Sequence, residues 1–400
     1  MSYHKKKVHI NFLNHTKFES IAINEFFFVA DFAKTVTRSP QIKGATYRLA
    51  PKIHRKAATG HTGKSKRQQN MLFHHARDTS TLRKGVLLIN FGTPSSPDPQ
   101  SVRSFLRELF KEQDFHLPPF IQDLVVRTCI LPWRTKKAVT RYRAIWTEEG
   151  SPLLVQSTRC AQKLCTLLPE NTVVALGMKY GRPSLLQALE ELKKLSLDEI
   201  VILPLFPQQV PAMTQAIVET VVRHLLSWPR LPRIFSISEF CKEPWYLEAC
   251  AARLLEANPE NYDHILFSYH ALPESSASPH SQYRQDCIDT AEAIAESAGI
   301  APKKISVAFQ SKAGVGKWTS PSTQETLNAL LHDGKQRVLV MCPSFVVDCI
   351  ETLGEIAGEC RADFLGKGGE YLGLVECLND FSPWIEGVSS YIQKIQGQSL

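Results

Sequence analysis

One histidine and a row of acids, each placed directly after an apolar run, are the residues of this chain best suited to chemistry. The segment Phe267-Ser268-Tyr269-His270-Ala271-Leu272-Pro273 sets His270 behind Ile265, Leu266 and Phe267. The segment Asp348-Cys349-Ile350-Glu351-Thr352-Leu353-Gly354-Glu355 follows a second apolar run, Val338-Leu339-Val340-Met341. An imidazole is the side chain best poised for proton transfer near neutral pH. The spacing i, i+3, i+7 of Asp348, Glu351 and Glu355 predicts one face of a helix. By position alone, His270 reads as a loop histidine bonded to a carbonyl, and the acids as a solvated stripe that complements a helix N-terminus. Two features favour a buried site: the strand before the acids aims their helix inward, and Phe345-Val346-Val347 is too apolar for an exposed loop. A base and carboxylates gathered at strand ends suit removal of protons and handling of a metal ion.

The elements that must hold these residues form a regular alternation. Gly85 opens a continuous apolar run, Val86-Leu87-Leu88-Ile89-Asn90-Phe91, which reads as a buried strand ending in Gly92-Thr93-Pro94. Further strands are expected at Val173–Leu176, Ile200–Leu205, Ile234–Ile237, His264–Ser268, Ile305–Ala308 and Val338–Met341. Helical patterns cover Ser101–Phe110, Leu185–Lys194, Gln215–Leu226, Trp245–Ala257, Tyr283–Ala298 and Thr323–His332. Strands alternating with helices mean βαβ units and parallel sheets. The pattern changes near 230–240, where Pro229, Pro232 and Pro244 interrupt it. Two doubly wound halves with a cleft between them are expected, at 84–238 and 239–382, with a C-terminal helix over 383–400 packing on the first. In such sheets ligands bind outside the carboxyl ends of the strands.

Charge excludes one class of partner. Residues 1–80 hold 15 Lys and Arg against 4 Asp and Glu, whereas the rest holds 32 against 35. The net charge of +8 therefore belongs to the leader, and the folded part gives no case for nucleic-acid binding. Residues 1–83 read as a disordered extension or as the product of an upstream start with Met71 near the working one; a transit peptide is the alternative. The 10 cysteines form no CxxC pair, which fits a reducing cytosol and small buried side chains. No run approaches the roughly 20 apolar residues of a membrane span.

Two glycine-rich segments are weak signals. Ala308–Trp318 looks like a phosphate loop but has Trp318 where a Ser or Thr must follow Lys317, and reads instead as polar groups beside an aromatic platform. Gly366-Lys367-Gly368-Gly369 reads as an ordinary turn. The segment Phe105–Trp133 is unusually apolar; it is either core or a lip that receives a flat greasy ligand or rests on a membrane surface.

Six ordered motifs over 84–380 resemble the ferrochelatases of haem and porphyrin biosynthesis: Leu88–Pro94, Gly150–Leu153, Leu203–Gln208, Ser268–Pro273, Phe309–Lys312, and Cys342-Pro343 through Glu351-Thr352-Leu353. The form Asp348-Cys349-Ile350-Glu351-Thr352-Leu353 is similar to the bacterial branch that uses protoporphyrin. The resemblance implies the type II chelatase fold, two flavodoxin-like halves around a porphyrin cleft, and a lyase that inserts Fe2+ into protoporphyrin IX with loss of two protons. It implies that His270 and Glu351 are the catalytic and metal-binding pair, with Asp348 and Glu355 as an acidic path for metal and protons. It places Phe91, Lys179, Tyr180, Gln310, Ser311, Trp318 and Phe345 along the porphyrin. It implies a cytoplasmic enzyme, peripheral on the inner face of a membrane through the 105–133 lip, with Fe2+ as substrate and no tightly bound cofactor. The C-terminus lacks the cysteine-rich tail of cluster-bearing members, so no [2Fe–2S] cluster is expected. Phe91 stands where a coproporphyrin-specific relative would carry tyrosine. Departures from the family are Gln209–Thr214 in place of a Ser/Thr-rich stretch, Thr319 for a leucine, Gln324 for an aspartate, and Cys349 where animal members have histidine. The altered 209–214 stretch leaves a non-catalytic porphyrin-binding protein as the alternative.

Overall fold

The computed structural model describes residues 72–73, 83–112, 118–273, 277–312 and 317–397; the expectations for the N-terminal leader fall outside these. The first part of the chain runs β1 (Leu72–Phe73), β2 (Lys84–Thr93), α1 (Pro99–Lys111), α2 (Pro119–Val125), α3 (Leu131–Ile145), α4 (Pro152–Leu167), β3 (Thr172–Gly181), α5 (Leu185–Lys193), β4 (Glu199–Pro204), α6 (Ala216–Leu225), β5 (Arg233–Ser236) and α7 (Pro244–Glu256). It continues with β6 (His264–His270), α8 (Ala277–Ser297), β7 (Ile305–Gln310), α9 (Thr323–His332), β8 (Arg337–Met341), α10 (Arg361–Gly366), β9 (Tyr371–Leu374) and α11 (Ser382–Gly397). Val126–Ile130, Pro211–Gln215 and Ile350–Cys360 wind as π-helices.

Two sheets result, ordered β1-β3-β2-β4-β5 and β7-β6-β8-β9. Every pairing is parallel except that of the two-residue edge strand β1. Counted from β2 and from β6, each sheet places its second strand, then its first, third and fourth, which is the flavodoxin-like order. The chain reverses direction across the sheet between β2 and β4, and again between β6 and β8. His270 ends β6 at the second of these switch points.

The strands alternate between two layers of core because successive side chains leave opposite faces. Val86 and Leu88 of β2 join Phe267 and Tyr269 of β6 in one cluster shared by both sheets. Leu87 and Ile89 face the opposite way, onto Leu189 and Val221 of α5 and α6. Leu266 of β6 does the same in the second sheet, meeting Leu327, Ile356 and Phe364. α11 closes back on the first part of the chain, where Ser389 Oγ and Gln393 Nε2 donate to the Leu167 carbonyl.

Helices α2, α3 and α4 and strand β9 go beyond the elements expected from sequence. The apolar 105–133 run hides the first of these: beyond the end of α1 it contains α2, a π turn and the start of α3, with Val125, Val126 and Leu131 buried and Phe120, Leu124 and Trp133 exposed. The run thus divides between core residues and exposed apolar ones. The largest difference lies after β8. The helix there is a π-helix that starts at Ile350, so Asp348 precedes it and does not share the face of Glu351 and Glu355.

Gly92 is where sequence and topology meet most tightly. It has φ +110°, and a Cβ there would lie 1.8 Å from the Tyr180 carbonyl oxygen of the paired strand. Gly92→Ala should lower the free energy of unfolding by about 2–4 kcal/mol in denaturant titration; a loss within about 0.5 kcal/mol would contradict this close approach.

Candidate active site

His270 is built from the strand end upward. Its backbone amide donates to Ser344 Oγ at 3.3 Å, and its carbonyl accepts from Tyr283 Oη at 2.7 Å. Its Nδ1 lies 2.7 Å from the Ala271 carbonyl. A carbonyl can only accept, so Nδ1 carries the proton and Nε2 presents a lone pair when the ring is neutral. The Phe345 ring stands 6.2 Å away. The half-buried imidazole is therefore oriented as a base or ligand through Nε2.

Gln310 connects this strand end to the carboxylates. It pairs with His270 across β6 and β7. Its Oε1 accepts from Ser268 Oγ at 2.6 Å, which fixes the amide so that Nε2 donates to the Glu351 carbonyl at 2.9 Å. Glu355 reaches the same corner: its two oxygens accept from Ser311 N at 2.8 Å and Ser311 Oγ at 2.6 Å. That grip holds Ser311 at φ +64°, a left-handed conformation unusual for serine. The i→i+5 turn of a π-helix returns to nearly the same side after four residues, so Glu351, Glu355 and Glu359 follow one another along one flank.

Asp348 has a different setting from the one its spacing suggests. It is buried, with Oδ2 accepting from Asn379 Nδ2 at 2.7 Å and Oδ1 from Thr352 Oγ1 at 3.0 Å. Its amide donates to Asn379 Oδ1 at 2.9 Å. A carboxylate satisfied on both oxygens anchors the start of the π-helix. Its charge, after burial, pushes the Cys377 and Cys342 thiols well above the usual cysteine range.

The first sheet contributes a second cluster at the ends of β2 and β3. Phe91 meets Tyr180 edge-on at 5.1 Å between centroids and Phe105 at 6.4 Å. Tyr180 Oη donates to Glu112 Oε2 at 2.9 Å, and Lys179 Nζ lies 3.7 Å from the same oxygen. Burial, reinforced by Glu112, pushes the Tyr180 hydroxyl far up, and burial pulls the Lys179 ammonium down against Glu112. Thr93 Oγ1 donates to Ser151 Oγ at 2.8 Å, tying two sequence motifs together.

Tyr142 of α3 joins the two clusters. Its ring meets Phe105 at 6.4 Å. Its hydroxyl is pushed far up, by burial first and then by the neighbouring charge of Glu351. His270, Gln310, Ser311, Phe345, Glu351 and Glu355 thus form one corner, and Phe91, Lys179 and Tyr180 another. Trp318 is packed into the shared core with 8% exposure rather than standing as an open platform, and its backbone forms an antiparallel bridge with Pro273. The unusual Thr319 has a local reason, since its hydroxyl accepts the Leu272 amide at 3.0 Å. No sequence motif contains Tyr142, Arg141 or Asn379. The apolar spacing Val139, Tyr142, Ile145 marks the inward face of α3, and Glu359 simply continues the four-residue spacing of the glutamates.

A two-sheet α/β protein with a base at one switch point and carboxylates along an adjoining helix is the class that this fold and site define. The ferrochelatase family model matches residues 83–395. The chain is 36% identical over 329 residues to a ferrochelatase of Azoarcus sp. strain BH72, covering 81% of this chain and 91% of the relative. It is 38% identical over 299 residues to one of Photobacterium profundum, covering 74% and 92%. This chain belongs to the ferrochelatase family. A solved structure of the sirohydrochlorin chelatase SirB from Bacillus subtilis, in complex with cobalt, aligns at TM-score 0.48 and 8% identity over 80% of this chain and 97% of its own.

Two measurements check this local picture. Asn379→Ala removes the partners of the Asp348 amide and of its Oδ2, and should cost about 1–3 kcal/mol of stability; an unchanged denaturation midpoint would mean the network is not formed. Cys129 is exposed and the other nine cysteines are buried. Native protein should show one rapidly labelled thiol, lost in Cys129→Ser; a second rapid thiol before unfolding would contradict the burial of the cysteines around Asp348.

Proposed function

We propose that this protein inserts Fe2+ into protoporphyrin IX, releasing two protons, with His270 and Glu351 as the groups that act at the macrocycle. The observation that carries this reading is the His270 tautomer. Nδ1–H is committed to the Ala271 carbonyl, so Nε2 is available to take a pyrrole proton or to touch the metal. Gln310, bonded to the Glu351 backbone, keeps the glutamate beside the same strand end. In the overall change two N–H bonds break, four bonds form between iron and nitrogen, and the two protons pass to the imidazole and carboxylates. Which of these coupled groups takes the first proton is a property of the site as a whole.

The remaining residues support binding and delivery. Phe91 and Tyr180 supply apolar surface for a flat ring, Lys179 a cation for an acidic substituent, and Gln310, Ser311 and Phe345 the opposite wall, with Trp318 packed behind it. Glu355 continues the acidic approach from Glu351, and Asp348 adds buried negative charge behind it. Oxygen and imidazole ligands suit ferrous iron and release it to four nitrogens. Exposed Phe120, Leu124 and Trp133 support a peripheral resting place on a membrane surface, with the site opening from the cytoplasm. No described helix is long and apolar enough to cross a membrane.

The purified protein should convert protoporphyrin to its Fe2+ or Zn2+ complex, read from the visible spectrum. His270→Ala and Glu351→Gln should each lower the rate by about 100-fold or more, the range of a lost acid–base group, while porphyrin fluorescence titration stays within a few fold of wild type. Near-full activity in both variants would rule out this mechanism. Tight porphyrin binding without insertion by the wild type would favour a binding protein.

A further inference from the structure

Arg141 projects from α3 toward the π-helix, one residue from Tyr142. Its Nε and Nη2 donate to the two oxygens of Glu359 as a planar fork. Burial opposes its charge, but Glu359, then Glu355 and Glu351, outweigh it and hold the guanidinium ionised. A single cation therefore feels the whole glutamate row. The same two elements pack together through Tyr142, Val139, Ile145 and Ile350, so the fork sits beside a formed contact and is not needed to create it.

The placement along the row is informative. Glu351 touches the active-site corner through Gln310, Glu355 holds Ser311, and Glu359 is the member nearest solvent, with 49% of its side chain exposed against 29% for Arg141. An ion pair this accessible to water is screened by salt, although its bidentate geometry makes it stronger than a typical surface pair. A divalent cation brings twice the charge to the same oxygens and takes carboxylate ligands readily.

We propose that Arg141 is a positioning residue at the outer end of the glutamate row, standing in for a cation at Glu359 until an entering divalent metal ion displaces it. This rests on the reading that the row receives the metal. Arg141 keeps Glu359 aligned with Glu355 while the path is empty and competes with the metal for the first step inward. The alternative, a structural pin between α3 and the π-helix, predicts that removing either partner has the same effect. Competition predicts opposite signs: without Arg141 the metal meets free carboxylates, whereas without the Glu359 charge it meets an unpaired guanidinium.

The test is steady-state Zn2+ insertion by the full chain, with metal and porphyrin varied separately at low ionic strength and again at about 0.5 M salt. Arg141→Gln should lower the KM for metal by about two- to fivefold, the scale of an exposed ion pair, with kcat and the porphyrin KM within twofold. Glu359→Gln should raise the metal KM by a similar factor. Arg141→Lys keeps the charge and loses the fork, so it should stay near wild type, and the Gln effects should shrink in high salt. Metal KM values moving in the same direction in both Gln variants, or in neither, overturn the proposal; so does Arg141→Lys behaving as Arg141→Gln. A wild type that inserts no metal overturns the reading of function and this inference with it, whereas an active wild type with same-sign variants overturns the inference alone.

Discussion

The two central strands, β2 and β6, are covered on both faces, and every one of their interior residues except Phe91 is buried. A polar side chain in that position must find a partner or bear a desolvation cost of roughly several kcal/mol; Asn90 and Ser268 find theirs in Ser157 and Gln310, whereas the Tyr269 hydroxyl is buried without one. Polar function is pushed to the carboxyl ends, where the backbone ladder stops and neighbouring loops supply partners. His270, Gln310 and Ser311 all lie at such ends in the second sheet, as do Phe91 and Tyr180 in the first. The layering of the core therefore decides where chemistry can occur before any particular residue does.

Placement at a strand end still leaves a side chain free to turn, and the corner around His270 removes that freedom stepwise. The Ala271 carbonyl sets the imidazole tautomer, Ser268 sets the Gln310 amide, and Glu355 sets a left-handed serine. The π-helix contributes in the same way. Its wide turn keeps a four-residue spacing on one flank, and Asp348, bonded to Asn379 and Thr352, fixes where that turn begins. Such an arrangement is organised before substrate arrives, which is what electrostatic catalysis requires.

The shared core also bears on how the two sheets act together. Val86 and Leu88 belong to the same apolar cluster as Phe267 and Tyr269, and α11 bonds back to the end of α4. The aromatic path Phe91, Phe105, Tyr142 then leads from the first sheet to the neighbourhood of Glu351. The aromatic cluster of the first sheet and the His270 corner of the second are thereby held at a fixed separation. Helix α3 carries both the exposed Trp133 and, through Arg141, a contact to the glutamate row.

What the sequence determined by itself is periodic or local. Buried parallel strands announce themselves as apolar runs, because both faces need the same kind of side chain, and their ends locate His270 and Glu351. The helices α2 and α3 were less legible, since an apolar run with both buried and exposed members has no clean period. Asp348 was legible as an acid but not as an anchor, because the α-helical period gives it a place on the glutamate face. Only the tertiary structure decided that the helix is π, that Asn379, 31 residues away, takes both Asp348 oxygen and amide, and that Arg141 and Glu359 meet across 218 positions. Contacts between distant segments carry no period, so they exist only once packing has closed.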